Sequence, residues 1–129
     1  MNINIEEEII KNYVKKVKQE RIIWELQNQK KREKVFWKFA GTNLFNENCL
    51  RTVKYMNNCE LEKYLFQISG TKDVYYMGES YIGELCLRDA VQKAGMGEIC
   101  IIYCGKGIGY YQGEQEYGNP PRFLLVKTI

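Results

Sequence analysis

The chain has 129 residues and a mass of 15.2 kDa, enough to bury one real core without the help of metals or disulfides and too little for a second domain. Apolar residues make up 45% and charged residues 27% of it, with a net charge of +3, which excludes a disordered chain. Histidine is absent, which removes Ser-His-Asp and Cys-His nucleophilic systems and histidine metal sites and points away from an enzyme.

Five cysteines, Cys49, Cys59, Cys86, Cys100 and Cys104, cannot all pair and form no Cys-x-x-Cys. Reduced, mostly buried thiols are therefore expected, with no metal and no cofactor. The acidic stretch Met1 to Ile10 has neither the basic start nor the apolar centre of a secretion signal. The apolar runs Ile99 to Cys104 and Phe123 to Val126 fall far short of the roughly 20 residues that span a bilayer. A cytoplasmic protein is expected, without membrane contact. Heavy use of Lys, Ile, Asn, Tyr and Glu reads as the coding bias of an AT-rich bacterium or phage.

In chain order, Asn4 is the predicted cap of a long helix from about Ile5 to Gln27, with Glu6, Glu7 and Glu8 in its first turn and Ile10, Tyr13, Val14, Val17 and Trp24 on its apolar stripe. Asn28 breaks it, and a second helix runs from Lys30 to Ala40 until Gly41. The Asn-rich stretch Thr42 to Asn58 allows one short helix through Cys49, Leu50, Val53 and Met56. Glu60 to Ser69 fits a helix by spacing, but the aromatic and β-branched content of Tyr64 to Ile68 favours a strand, closed by Gly70. Val74 to Met77 is a predicted strand, and Leu85 to Ala94 a helix ended by Gly95.

Ile99 to Cys104 is apolar at every position, as in a central strand covered on both faces. Gly105-Lys106-Gly107 turns the chain into a strand from Ile108 to Gly113, and a loop through Tyr117 to Pro121 returns it to a last strand, Arg122 to Lys127. The predicted fold is a single α+β domain: an N-terminal helical hairpin or kinked long helix packed on a mainly antiparallel sheet of about four or five strands, the last three forming a C-terminal meander.

Three constellations bear on function. The segment Lys11 to Lys38 holds ten Lys or Arg against three Glu, a local +7 in a chain of net +3 whose remainder is −4. Its basic face, Lys15, Lys18, Lys30, Lys31, Arg32 and Lys34, reads either as a solvated helix surface or as an electrostatic grip on a nucleic-acid backbone or an acidic protein partner. The second, Gly105-Lys106-Gly107-Ile108-Gly109, lacks the first Gly and the Ser/Thr of a phosphate loop and precedes a strand, so it reads as a hairpin turn.

The third lies at the mouth of the last two strands. The expected pairing sets Glu114 opposite Arg122 and Gln112 opposite Leu124, beside Tyr110 and Tyr111, as a polar site or a cross-strand ion pair, with the ion pair favoured. Tyr75, Tyr76, Tyr81, Tyr110, Tyr111 and Tyr117 are candidates for a protein interface, whereas Trp24, Phe36, Trp37, Phe39 and Phe123 are assigned to the core. The leading expectation is a small non-enzymatic bacterial or phage binding protein of the immunity, inhibitor or anti-defence kind that occludes a macromolecular partner, most readily a protein. The alternatives are a nucleic-acid-binding domain using the basic helices and a histidine-independent enzyme or ligand sensor using Lys106, Glu114 and Arg122.

Overall fold

The computed structural model describes residues 2–114 and 121–128. Among them are five α-helices, α1 (Ile3–Tyr13), α2 (Lys16–Gln27), α3 (Gln29–Trp37), α4 (Asn58–Ser69) and α5 (Leu87–Gly95). The six strands are β1 (Leu50–Thr52), β2 (Asp73–Gly78), β3 (Ile82–Cys86), β4 (Cys100–Gly105), β5 (Ile108–Gln112) and β6 (Arg122–Val126). The strands form one sheet in the order β1-β6-β5-β4-β2-β3, every pairing antiparallel. The α+β class and the closing β4-β5-β6 meander are as expected, with one more strand than the four or five predicted.

Helices cover both faces of the sheet. On one face Tyr75, Met77, Ile101, Tyr103, Tyr111 and Leu125 pack against Ile9, Ile10 and Tyr13 of α1, Ile22 and Leu26 of α2 and Val35 of α3. On the other, Val74, Tyr76, Cys100, Ile102, Cys104 and Tyr110 pack against Leu61 and Leu65 of α4 and Leu87, Ala90, Val91 and Ala94 of α5. Successive strand residues point to opposite faces, so a strand covered on both sides must be apolar throughout. This accounts for the unbroken run in β4, which lies between β5 and β2.

The long N-terminal helix divides in two. Asn2 rather than Asn4 caps α1, its side chain accepting from Ile5 N. At the break, Val14 bridges Phe45, Lys15 N donates to Leu44 O at 2.9 Å and Asn46 N donates to Tyr13 O at 2.8 Å. Segment 44–46 thus satisfies the backbone groups that helical continuation would have used. The apolar stripe read along one continuous helix turns outward beyond the break: Val17 is 90% exposed and Trp24 49%.

Three further predictions are corrected. Glu60 to Ser69 is helix, started by a reciprocal capping box between Asn57 and Glu60 and stopped by Gly70 at φ 70°. The cap and the Leu61/Leu65 spacing outweigh the strand-like composition, since those two leucines are the buried ones. The short helix expected within Thr42 to Asn58 is a 3-10 turn, Glu47–Cys49, followed by β1. Leu85 ends up in β3, and α5 starts two residues later. Among the described residues no helix is long and apolar enough to cross a membrane.

Candidate functional site

The helices α2 and α3 and the 3-10 turn Lys38–Ala40 carry most of the positive excess of the chain and build a basic surface. Asn28 separates the two helices and caps the second, its side chain accepting from Lys30 N. The chain bends there, and α3 lies back beside α2 so that residues from both meet. Glu25, only 5% exposed, is the point of convergence: Lys38 Nζ lies 3.0 Å and Arg21 Nε 3.6 Å from its Oε1. The hydrogen bond from Lys38 holds the Glu25 carboxyl below the usual range against the opposing effect of burial, and the charges of Lys38, Arg21 and Lys31 act in the same direction. Two cations therefore contact one carboxylate, with the charge of Lys31 added at longer range, and the spot is left positive.

Trp24 lies one position before Glu25 and is half exposed. The Arg21 guanidinium is 5.5 Å and the Lys31 ammonium 5.6 Å from its ring centroid, both within cation–π range. Arg21 also lines a groove of about 450 Å³ with Val17, Lys18, Ile22, Lys38, Asn43 and Leu44. Cation, aromatic surface and cavity thus adjoin on one side of the molecule. Lys34, exposed, extends the face, since Lys31, Lys34 and Lys38 recur at i, i+3 and i+7.

Lys15, Lys18 and Lys30 are exposed as well, but Arg32 leaves the expected basic face. Its side chain is 11% exposed and its guanidinium donates to Glu6 Oε2 at 2.5 Å and to Leu26 O at 2.8 Å, tying α3 to α1 and α2. Sequence reasoning placed Trp24 and Trp37 in the core, whereas both are about half exposed. It also left Arg21 and Lys38 out of the face. The available signal was local: Arg21, Trp24 and Glu25 fall at i, i+3 and i+4.

The site expected at the end of the sheet does not assemble. Gln112, not Glu114, faces Arg122, and Tyr110 faces Leu124, a shift of two residues from the predicted register. The pairing closes earlier because Gly113 N donates to Pro121 O at 2.9 Å, ending the ladder before Glu114. Glu114 is exposed, its amide donating to Ala40 O at 3.0 Å. Arg122 reaches Met56 O at 3.3 Å and lies 4.6 Å from the centroid of Tyr55.

Gln112 is fully buried and structural: its Nε2 donates to Ala94 O at 2.7 Å and Glu98 O at 2.8 Å, and its Oε1 accepts from Tyr110 at 3.1 Å. Tyr110 and Tyr111 are core residues, the Tyr111 hydroxyl donating to Phe39 O at 2.5 Å. Tyr75 and Tyr76 are buried too, which leaves Tyr81 exposed; Tyr117 lies outside the described residues.

Lys106 is exposed at the tip of the β4-β5 turn, where it (φ 55°) and Gly107 (φ 79°) both take the left-handed conformation of a two-residue hairpin. It is not gathered with Glu114 and Arg122 at the far end of β5. Among the described residues no three Cys, Asp or Glu side chains are placed to hold a metal ion. A cavity of about 590 Å³ elsewhere on the molecule is acidic, lined by Glu8, Asp73 and Glu84 with Tyr75 and Tyr103.

No family model, curated protein or solved structure matches the chain.

Proposed function

We propose that the protein is a small, non-enzymatic, cytoplasmic binding protein of bacterial or phage origin, of the immunity, inhibitor or anti-defence kind, and that it occludes an anionic macromolecular partner with its α2–α3 face. The observation that carries this reading is the convergence of Arg21 and Lys38 on Glu25 beside the half-exposed Trp24, over which Arg21 and Lys31 lie. Exposed cations steer an anionic partner into contact, and a desolvated aromatic flanked by them is the usual anchor of such a contact. The interface argued from tyrosine content loses its support, since Tyr75, Tyr76, Tyr110 and Tyr111 are all buried. Five unpaired thiols accord with a reducing compartment.

Retention on a heparin column tests the reading, heparin serving as a generic polyanion. The double variant Arg21→Glu/Lys31→Glu elutes at much lower salt than the parent, while Glu114→Gln and Lys106→Ala elute with it. Unchanged retention of the double variant would remove the basis for assigning function to this face.

A further inference from the structure

The geometry points to single-stranded nucleic acid as the partner class, bound with a base stacked on Trp24 and phosphates on Arg21, Lys31, Lys38 and Lys18. This rests on the occlusion reading above and narrows it. A nucleotide repeats one anionic group and one flat π surface per unit, and the face sets their complements side by side: a cation at 5.5 Å and another at 5.6 Å from one indole centroid. An acidic polypeptide would satisfy the cations but meets the ring only where its sequence happens to supply an aromatic or proline, whereas a nucleotide chain supplies a flat surface with every charge. Single-strand binders pair a positive groove with an exposed aromatic platform in this way, and with little sequence preference. The cations of the face can reach phosphate by exchanging partners: Arg21, over the Trp24 ring, has a side chain 66% exposed, and Lys38, paired with Glu25, one 43% exposed. A duplex keeps its bases stacked and cannot use the indole without being opened.

The molecule contains its own control. Trp37 is as exposed as Trp24, at 51% against 49%. It packs edge-on against Phe36, with ring centroids 6.3 Å apart, in a different groove shared with Arg32, Glu33 and Glu79. Arg32 is committed there to Glu6. Equal exposure with unequal charge surroundings means that a generic hydrophobic contact would use both tryptophans, while a base-stacking contact uses Trp24 alone.

The experiment is fluorescence anisotropy with the full chain, using a short labelled single-stranded oligonucleotide, an abasic strand of equal charge, the matching duplex, heparin and poly-glutamate as probes. The expected result is binding of the single strand about tenfold tighter than the abasic strand. Its logarithmic salt slope should be about −3 for four phosphate contacts. Trp24→Ala abolishes the preference for bases without loss of helical circular dichroism, and Trp37→Ala retains it. Equal affinity for the strand with and without bases, a Trp24→Ala variant that keeps the preference, or tighter binding of the duplex or of poly-glutamate would overturn the inference while leaving occlusion of an anionic partner standing. Failure to bind any of the probes at low salt would overturn the inference and the occlusion reading together.

Discussion

The Arg32 guanidinium lies 2.5 Å from the Glu6 carboxylate, and Glu6 is 1% exposed. The same carboxylate oxygen accepts from the Tyr75 hydroxyl at 2.6 Å, which in turn accepts from Asn2 N at 2.9 Å. One acidic residue thus joins α1, α3 and the second strand of the sheet. Removing one member of a buried pair strands the other charge out of water, at a cost of about 3–5 kcal/mol. Arg32→Ala is expected to lower Tm by about 10 °C or more in a thermal melt. A change of a degree or two would mean that the pair is not the clasp described. The distinction matters for binding studies, because an Arg32 variant loses affinity through unfolding and says nothing about the basic face.

Gln112 carries the second structural prediction. Its side chain is the donor to the carbonyls of Ala94 and Glu98, closing the turn between α5 and β4. Gln112→Leu keeps the bulk and removes the bonds to the buried Ala94 carbonyl, the part-buried Glu98 carbonyl and the Tyr110 hydroxyl, so it should cost about 1–3 kcal/mol in urea unfolding. Glu114→Gln, at an exposed position, should leave the urea midpoint unchanged. The reverse pattern would restore the Glu114 end of the sheet as the important one.

Alkaline pH should unfold the protein. Burial pushes the thiols of Cys104 to about 11 and Cys100 to about 12, from an ordinary 9.0. Burial, helped by the hydrogen bond to Glu8, pushes Tyr103 from 10.0 to about 12, and burial also raises Tyr13, Tyr75, Tyr76, Tyr110 and Tyr111. These groups are neutral in both states near pH 7. Once pH passes the unfolded-state values, the unfolded chain releases protons that the folded chain keeps, so stability falls with rising pH. The urea midpoint should hold steady to about pH 9 and then fall through pH 10 and 11. A flat midpoint to pH 11 would contradict the burial of these rings and thiols.

Much of the fold was legible because its determinants are local or periodic. The unbroken apolar run of β4, the Lys106-Gly107 turn and the Asn28 break each lie within a few residues of the feature they set. What was not legible depends on distant chain. The break after Tyr13 is held by Leu44, Phe45 and Asn46, thirty residues on, and without it Val17 and Trp24 read as core. The capping box at Asn57 and Glu60 was visible but outweighed by composition. Of the candidate site, the charge excess was evident, yet which cations converge is decided by how α3 folds back on α2. That is why Arg32 was counted in the face and Lys38 was not, whereas Arg21 was missed although its i, i+4 spacing to Glu25 is local.

Glu25 gives a prediction of opposite sign to a charge reversal. It neutralises part of the charge of Arg21 and Lys38 at the centre of the face. Glu25→Gln preserves its shape, and because Lys38 is well exposed the stability cost should be small. The variant is expected to elute from heparin at higher salt than the parent. Elution at lower salt would show that Glu25 acts by positioning the cations rather than by competing for them.

The central claim is that the α2–α3 face is the working surface. Amide chemical-shift mapping with a single-stranded oligonucleotide at low salt tests it most directly. The perturbed amides should cluster in Lys18 to Glu25, Lys31 to Lys38 and Asn43, and the Trp24 indole N–H should move more than that of Trp37. Perturbations centred on Gln112 to Glu114 and Arg122, or on the acidic cavity of Glu8, Asp73 and Glu84, would contradict it.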